Sequence, residues 1–165
     1  VCCIAPLVLS ALGALAGIGG TYSQGTSSST PQPTAGVGAM ITISDVACTL
    51  LSVRSIGGDD IVKPKAGNHF IVVHITLTNN SSSEVHYNPF DFHIESGDGN
   101  ITDHEIITPS TYTANNELHD GALAPGGTVT ADLIFQVATG DHQAKLTWQP
   151  SFFGSDTDYV WLLGL

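Results

Sequence analysis

From residue 39 onward, apolar and polar side chains alternate with period two, and Gly, Pro, Asn and Asp interrupt the alternation roughly every ten residues, the pattern of short strands in an all-β sandwich. In NHFIVVHITLTNN the residues Ile71, Val73, Ile75 and Leu77 fall on one face and Phe70, Val72, His74 and Thr76 on the other. GTVTADLIFQVATG places Val129, Ala131, Leu133, Phe135 and Val137 inward, against Thr128, Thr130, Asp132 and Gln136. HQAKLTWQP adds Ala144, Leu146 and Trp148; PFDFHIE adds Phe90, Phe92 and Ile94; DYVWLLGL closes the chain with Tyr159, Trp161 and Leu163. With ITISD and VACTLLSVRSI the pattern predicts a mainly β fold of about seven strands in two packed sheets, each with one core face and one wet face.

Residues 1–20 read differently. VCCIAPLVLSALGALAGIGG is an apolar, small-residue run in which Ser10 is the one polar side chain besides cysteine, and Asp45 is the first charged residue of the chain. As a single α-helix it would be about 30 Å long at roughly 1.5 Å per residue, enough to cross a bilayer core or to be buried by copies of itself. A helix apolar all round must be buried all round. No Lys or Arg precedes Arg54, so the basic flank of a secretory signal is missing, and the expectation is a chain already processed upstream. Ser10, Gly13, Gly17 and Gly20 fall on one helical face and are the candidate helix-packing residues, with Gly13 and Gly17 forming a G-x-x-x-G pair. Cys2 and Cys3 are candidate lipidation sites.

Residues 21–36 (TYSQGTSSSTPQPTAG) carry no charge and one aromatic, Tyr22, so they read as a Ser/Thr/Pro-rich stalk with too little apolar surface to fold alone. Such spacers are similar to O-glycosylated stalks, and N-x-[ST] triplets make Asn79, Asn80 and Asn100 candidate glycosylation sites. The net charge of −11, from 15 acids against 4 bases, excludes the basic patch that phosphate backbones require, so no nucleic-acid partner is expected. Cys48 stands alone in a strand and reads as a buried small hydrophobe.

Taken in order, VGAMITISDVACTLLSV, GNHFIVVHITLTNNSSSEVHYNPFDFHIESGDG and LAPGGTVTADLIFQVATGDHQAKLTWQP resemble the bacterial domain of unknown function 4352, an immunoglobulin-like fold of surface proteins and lipoproteins, over about residues 37–163. The resemblance implies an immunoglobulin-like β-sandwich for residues 37–165 and an extracellular, cell-surface setting. It carries over no catalytic residues. The N-terminal run resembles a pilin-type assembly segment in general character, without the acidic residue near the start that many pilins carry.

Candidate chemistry is sparse. Asp91, His93 and Glu95 alternate along one expected strand, and SGDGNITD offers Asp98, Asn100 and Asp103 as oxygen ligands, without the spacing or bidentate Glu of a calcium loop. The remaining groupings are Asp103/His104/Glu105, His119/Asp120 and Asp141/His142. No G-x-S-x-G turn or comparable nucleophile motif occurs. The expectation is a non-enzymatic protein without metal or cofactor: a pilin-like subunit whose residues 1–20 pack with copies of itself into a filament core, meeting the membrane before assembly. The alternative is a single membrane-anchored or lipidated sandwich that binds a ligand or partner through its loops, at residues 57–67 or at 108–124, where Tyr112 is expected to be exposed.

Overall fold

The computed structural model describes residues 34–112, 116–150 and 159–165. Its strands are β1 (Thr34–Gly36), β2 (Met40–Ile43), β3 (Val46–Ile56), β4 (Asn68–Asn79), β5 (Val85–Tyr87), β6 (Phe92–Glu95), β7 (Ile101–Asp103), β8 (Gly121–Leu123), β9 (Thr128–Ala138), β10 (Lys145–Trp148) and β11 (Tyr159–Leu162). Sheet order is β2-β3-β4-β9 in one layer and β1-β11-β10-β6-β7 in the other, with β5-β8 as a separate pair. All pairings are antiparallel except β1 with β11. The expected strands correspond to the seven that have four or more residues; β1, β5, β7 and β8 have three each, too short to show an alternation. The described residues contain no α-helix, and the helix expected over residues 1–20 lies outside them.

The core is what the alternation requires. Ile71, Val73, Ile75 and Leu77 of β4 and Leu133, Phe135 and Val137 of β9 pack against Phe92, Ile94, Leu146, Trp148 and Trp161 of the opposite sheet. Each such side chain removed from water stabilises the fold by roughly 1.5–3 kcal/mol before conformational entropy is counted. Cys48 is fully buried here, and burial pushes its thiol well above the ordinary range, which leaves it inert. The β2–β3 hairpin turns on Ser44 and Asp45, both with positive φ (43° and 69°), the conformation of a two-residue turn that matches strand twist. A register shift between Leu50 and Ser52 leaves Leu51 exposed in an otherwise apolar run.

Two sequence expectations fail on local chemistry. PFDFHIE is not strand throughout: Pro89–Asp91 form a 3₁₀ turn, with the Asn88 side chain accepting from the Phe90 amide and the Asn88 amide donating to Asp91, a capping box with proline in the first turn. Phe90 is therefore exposed rather than core, and Asp91 is buried. The outer face of the β2-β3-β4-β9 sheet is also not uniformly wet. Phe70, Val72 and Ile134 form a second small core there with Tyr112, flanked by Ile56 and Val62.

Candidate functional site

The groups that invited a metal reading are separated by the fold. Asp91 leaves the strand for the 3₁₀ turn, His93 Nδ1 lies 2.9 Å from Asp103 Oδ1, and Glu95 accepts from Lys145 Nζ at 2.8 Å. In SGDGNITD the Asp98 carboxylate accepts from the Ser96 hydroxyl and from both the backbone and side-chain amides of Asn100. The hydroxyl above all, then the Asn100 amide, holds it below the ordinary carboxylate range. Asp103 is committed to His93, so these oxygens do not converge as a calcium loop would need. Among the described residues no three His, Cys, Asp or Glu side chains are grouped to hold an ion.

The two loops expected to carry binding are stapled to each other. Asp59 accepts from the amides of Val62 (2.6 Å), Ile61 (2.8 Å) and Ser110 (2.5 Å), and the Thr111 hydroxyl donates to Gly57 O at 2.5 Å. These amides, Val62 first, hold the Asp59 carboxyl well below its usual range. Residues 104–112 and 116–118 then cover the open edge of β9: the Glu105 amide donates to Ile134 O, the Leu118 amide to Asp132 O and the Asp132 amide to Asn116 O. This protects an edge that would otherwise expose unpaired backbone.

Under this crossover Asp132 is buried. It accepts from the Tyr112 hydroxyl at 2.9 Å and sits 2.5 Å from His74 Nδ1, while Arg54 lies 5.9 Å from the Tyr112 ring centroid. Tyr112, expected on the surface, is 8% exposed. Burial and the Asp132 bond push its phenol well above the usual range, so it is a neutral donor at every physiological pH. A buried carboxylate with two polar partners fixes the crossover in place, since removing either partner leaves it unsatisfied. Tyr112→Phe is expected to cost about 2 kcal/mol and to speed protease cleavage within 104–118; unchanged urea stability and cleavage would contradict this role.

His104 is the one described residue whose buried polar side-chain atom, Nδ1, has no partner. It packs edge-on against the exposed Phe90 ring, centroids 4.5 Å apart. Burial lowers its proton affinity, against the raising influence of Glu117, Asp103 and Glu105, with His93 adding to the lowering. The folded chain then binds fewer protons here than the unfolded one, so stability is full above about pH 6.5 and declines as pH falls through the unfolded value toward the folded one. His104→Gln is expected to remove that part of the acid-side slope, read as the difference between wild-type and variant urea midpoints from pH 7.5 down to 5 or so. Parallel profiles would contradict it.

Of the candidate glycosylation sites, Asn80 and Asn100 are exposed. Asn79 is not: it is fully buried, donates to Ser83 O (2.7 Å) and Leu123 O (2.9 Å), and accepts from the amide and hydroxyl of Ser81. Both amide hydrogens are used, which corrects the reading of Asn79 as an acceptor for sugar. Ser10, Gly13, Gly17, Gly20, Cys2 and Cys3 lie outside the described residues.

At the end of the sandwich where β4 begins and β9 ends, a cleft of about 590 Å³ opens between the sheets. The turn after β6 and the turn after β9 form its rim, brought together by the Gly97 amide donating to Asp141 at 3.0 Å. A Cβ on Gly97 would lie 2.9 Å from Gln143 Cβ, so glycine permits this approach. The sequence singles out Asp98 and Asn100 of this lining but does not mark the cleft, because the rest of the lining comes from separate segments.

Residues 35–158 match the family described as Domain of unknown function (DUF4352). The chain belongs to that family. The match agrees with the family expected from the sequence and nearly with its bounds. Among solved structures, this DUF4352 chain is similar to the yjhA protein of Bacillus subtilis, with a TM-score of 0.62 at 17% identity over 78% of this chain and 98% of the other. It is also similar to ycdA of Bacillus subtilis, provisionally described as a lipoprotein (TM-score 0.58, 16% identity), over 74% of this chain and 37% of ycdA. A functionally unknown protein of Listeria monocytogenes gives a TM-score of 0.52 at 14% identity, over 74% and 79% of the two chains. At these identities the likeness establishes the β-sandwich fold alone. No curated protein matches the chain.

Proposed function

We propose that this DUF4352 chain is a non-enzymatic protein of the cell exterior, held through residues 1–20 and displaying its sandwich outward on an uncharged stalk that ends before Thr34, because Thr34–Gly36, expected in the stalk, form β1 of the sandwich. The observation that carries the reading is the division of the sequence: no charged residue precedes Asp45, while all 15 acids and 4 bases lie from there on. A segment that water rejects is thereby joined to a domain that water and self-repulsion keep dispersed. The likeness to ycdA supports the same setting. The non-enzymatic part is supported by how the described acids and histidines discussed above are used, in strand pairs, turns and the Asp132 node.

A second, narrower reading is favoured by the spacing of Ser10, Gly13, Gly17 and Gly20, which would let copies pack closely. In it the chain is a pilin-like subunit, with residues 1–20 forming a filament core and sandwiches outside. Under that reading Gly13→Leu and Gly17→Leu abolish polymer while the sandwich stays folded, as seen by negative-stain electron microscopy of material sheared from cells and by near-ultraviolet circular dichroism. Normal filaments from both variants would remove the close-packing argument. Recovery of the wild-type chain in detergent extracts without any polymer would leave the single-anchor form.

A further inference from the structure

The cleft between the β6–β7 turn and the β9–β10 turn holds side chains that the fold does not use. The amide groups of Asn68 and Gln143 and the hydroxyl of Thr102 line it and make no hydrogen bond within the protein, among the described residues. Gln136, on the same rim, is engaged instead: it accepts from the Lys65 amide and donates to Glu105. Three unused polar side chains from β4, β7 and the β9–β10 turn, facing one opening, are an arrangement that folding does not require.

The lining limits what can enter. Two carboxylates stand at the rim: Asp98, bonded to Ser96 and Asn100, and Asp141, which accepts from the amides of Gly97 and Gln143 at 3.0 Å each. Among the described residues no Lys, Arg or His lines the opening, so a phosphate or carboxylate ligand would meet negative charge with no counter-charge. Rim carboxylates already shared with amide donors, without a third acid nearby, do not form a cage for a bare cation. An apolar ligand would strip water from Asn68, Thr102 and Gln143 without replacing their bonds, at a cost for each. The floor is nonetheless apolar, from Ile94 and Val137. Hydroxyl groups that both donate and accept, carried on a carbon ring that can lie on that floor, satisfy all of these conditions.

We propose that this cleft is a binding site for a neutral, hydroxyl-rich ligand, a short saccharide, with Asn68, Thr102 and Gln143 as the selecting side chains and Asp98 and Asp141 as acceptors for ring hydroxyls. The volume lies within the range of small-ligand sites. This goes beyond how the chain is held, and its failure would leave that reading untouched.

The test is a titration of the full ¹⁵N-labelled chain in a sugar-free detergent, lauryldimethylamine oxide, with cellotriose, chitotriose and maltotriose, and with glucose 6-phosphate and spermine as charged comparisons. At least one neutral trisaccharide is expected to shift the amide signals of Gly97, Asn100, Thr102 and Gln143 with a Kd of about 1 mM or tighter. Gln143→Leu and Asn68→Leu, both outside the core, are expected to weaken binding about tenfold each while leaving the remaining spectrum in place. The proposal is overturned if no trisaccharide moves these signals by about 20 mM, if the shifts cluster elsewhere, if the variants bind as wild type does, or if only a charged probe acts.

Discussion

Trp161→Ala is expected to cost about 4 kcal/mol of folding stability. The indole is fully buried, packs 6.3 Å from Trp148 between ring centroids, and donates through Nε1 to the Ala39 carbonyl at 3.0 Å. That bond joins β11, near the C-terminus, to the segment leading into the first hairpin, so one side chain fills the core and ties two distant parts of the sequence. Truncation leaves a cavity bounded by Trp148 and the facing β4 and β9 side chains, with the Ala39 carbonyl left only the longer bond, 3.4 Å, from the Leu50 amide. Trp161→Phe separates the two effects: it keeps most of the volume and loses the bond, and a loss of about 1–2 kcal/mol is expected. Urea denaturation followed by circular dichroism measures both, and a loss below about 2 kcal/mol for the alanine variant would contradict this packing.

Asn79→Ala is expected to cost about 3 kcal/mol, although removing a polar residue from a core strand would ordinarily be thought harmless. Its side chain makes four hydrogen bonds, to Ser81 twice, to Ser83 and to Leu123. Its backbone pairs with Gly126 and Gly127, so the residue locks the end of β4 to the β4–β5 loop, to β8 and to the turn before β9. Asn79→Asp keeps the shape but turns two donated bonds into carbonyl-facing acceptors, and is expected to be at least as damaging as alanine. Either variant within about 0.5 kcal/mol of wild type would show that water replaces these bonds.

The long strands were legible because a two-sided sheet imposes period two on its sequence, and the inward positions from Ile71 to Leu77 and from Val129 to Val137 are all apolar, although Val72 and Ile134 are apolar on the outer face too. Phe90 was misread because its place in PFDFHIE continues the alternation, whereas Asn88, Pro89 and Asp91 carry a capping signal that dominates locally. Asp132 and Tyr112 illustrate a different limit. By alternation Asp132 belongs to the wet face, and it becomes buried because a crossover from another sheet lies on it, a tertiary event with no local trace. Asn79 was misread for the same reason: its N-x-S triplet is local, while its burial is set by partners at Ser83 and Leu123. Of the cleft, Asp98 and Asn100 stood out as oxygen-bearing turn residues, but Asn68 and Gln143 look like any polar residue at a strand end. Their significance comes from lining one cleft together, which only the fold reveals.

In the proposed arrangement residues 1–20 hold the chain while the sandwich faces outward. The most direct measurement is protease shaving of intact cells, with mass spectrometry of both the released peptides and the cell-bound remainder. Peptides from the sandwich, beginning with cleavage in the stalk before Thr34, are expected in the supernatant while the apolar N-terminal segment stays with the cell or with sheared polymer. Recovery of the intact chain from the soluble cytoplasmic fraction, untouched by protease until lysis, would contradict it.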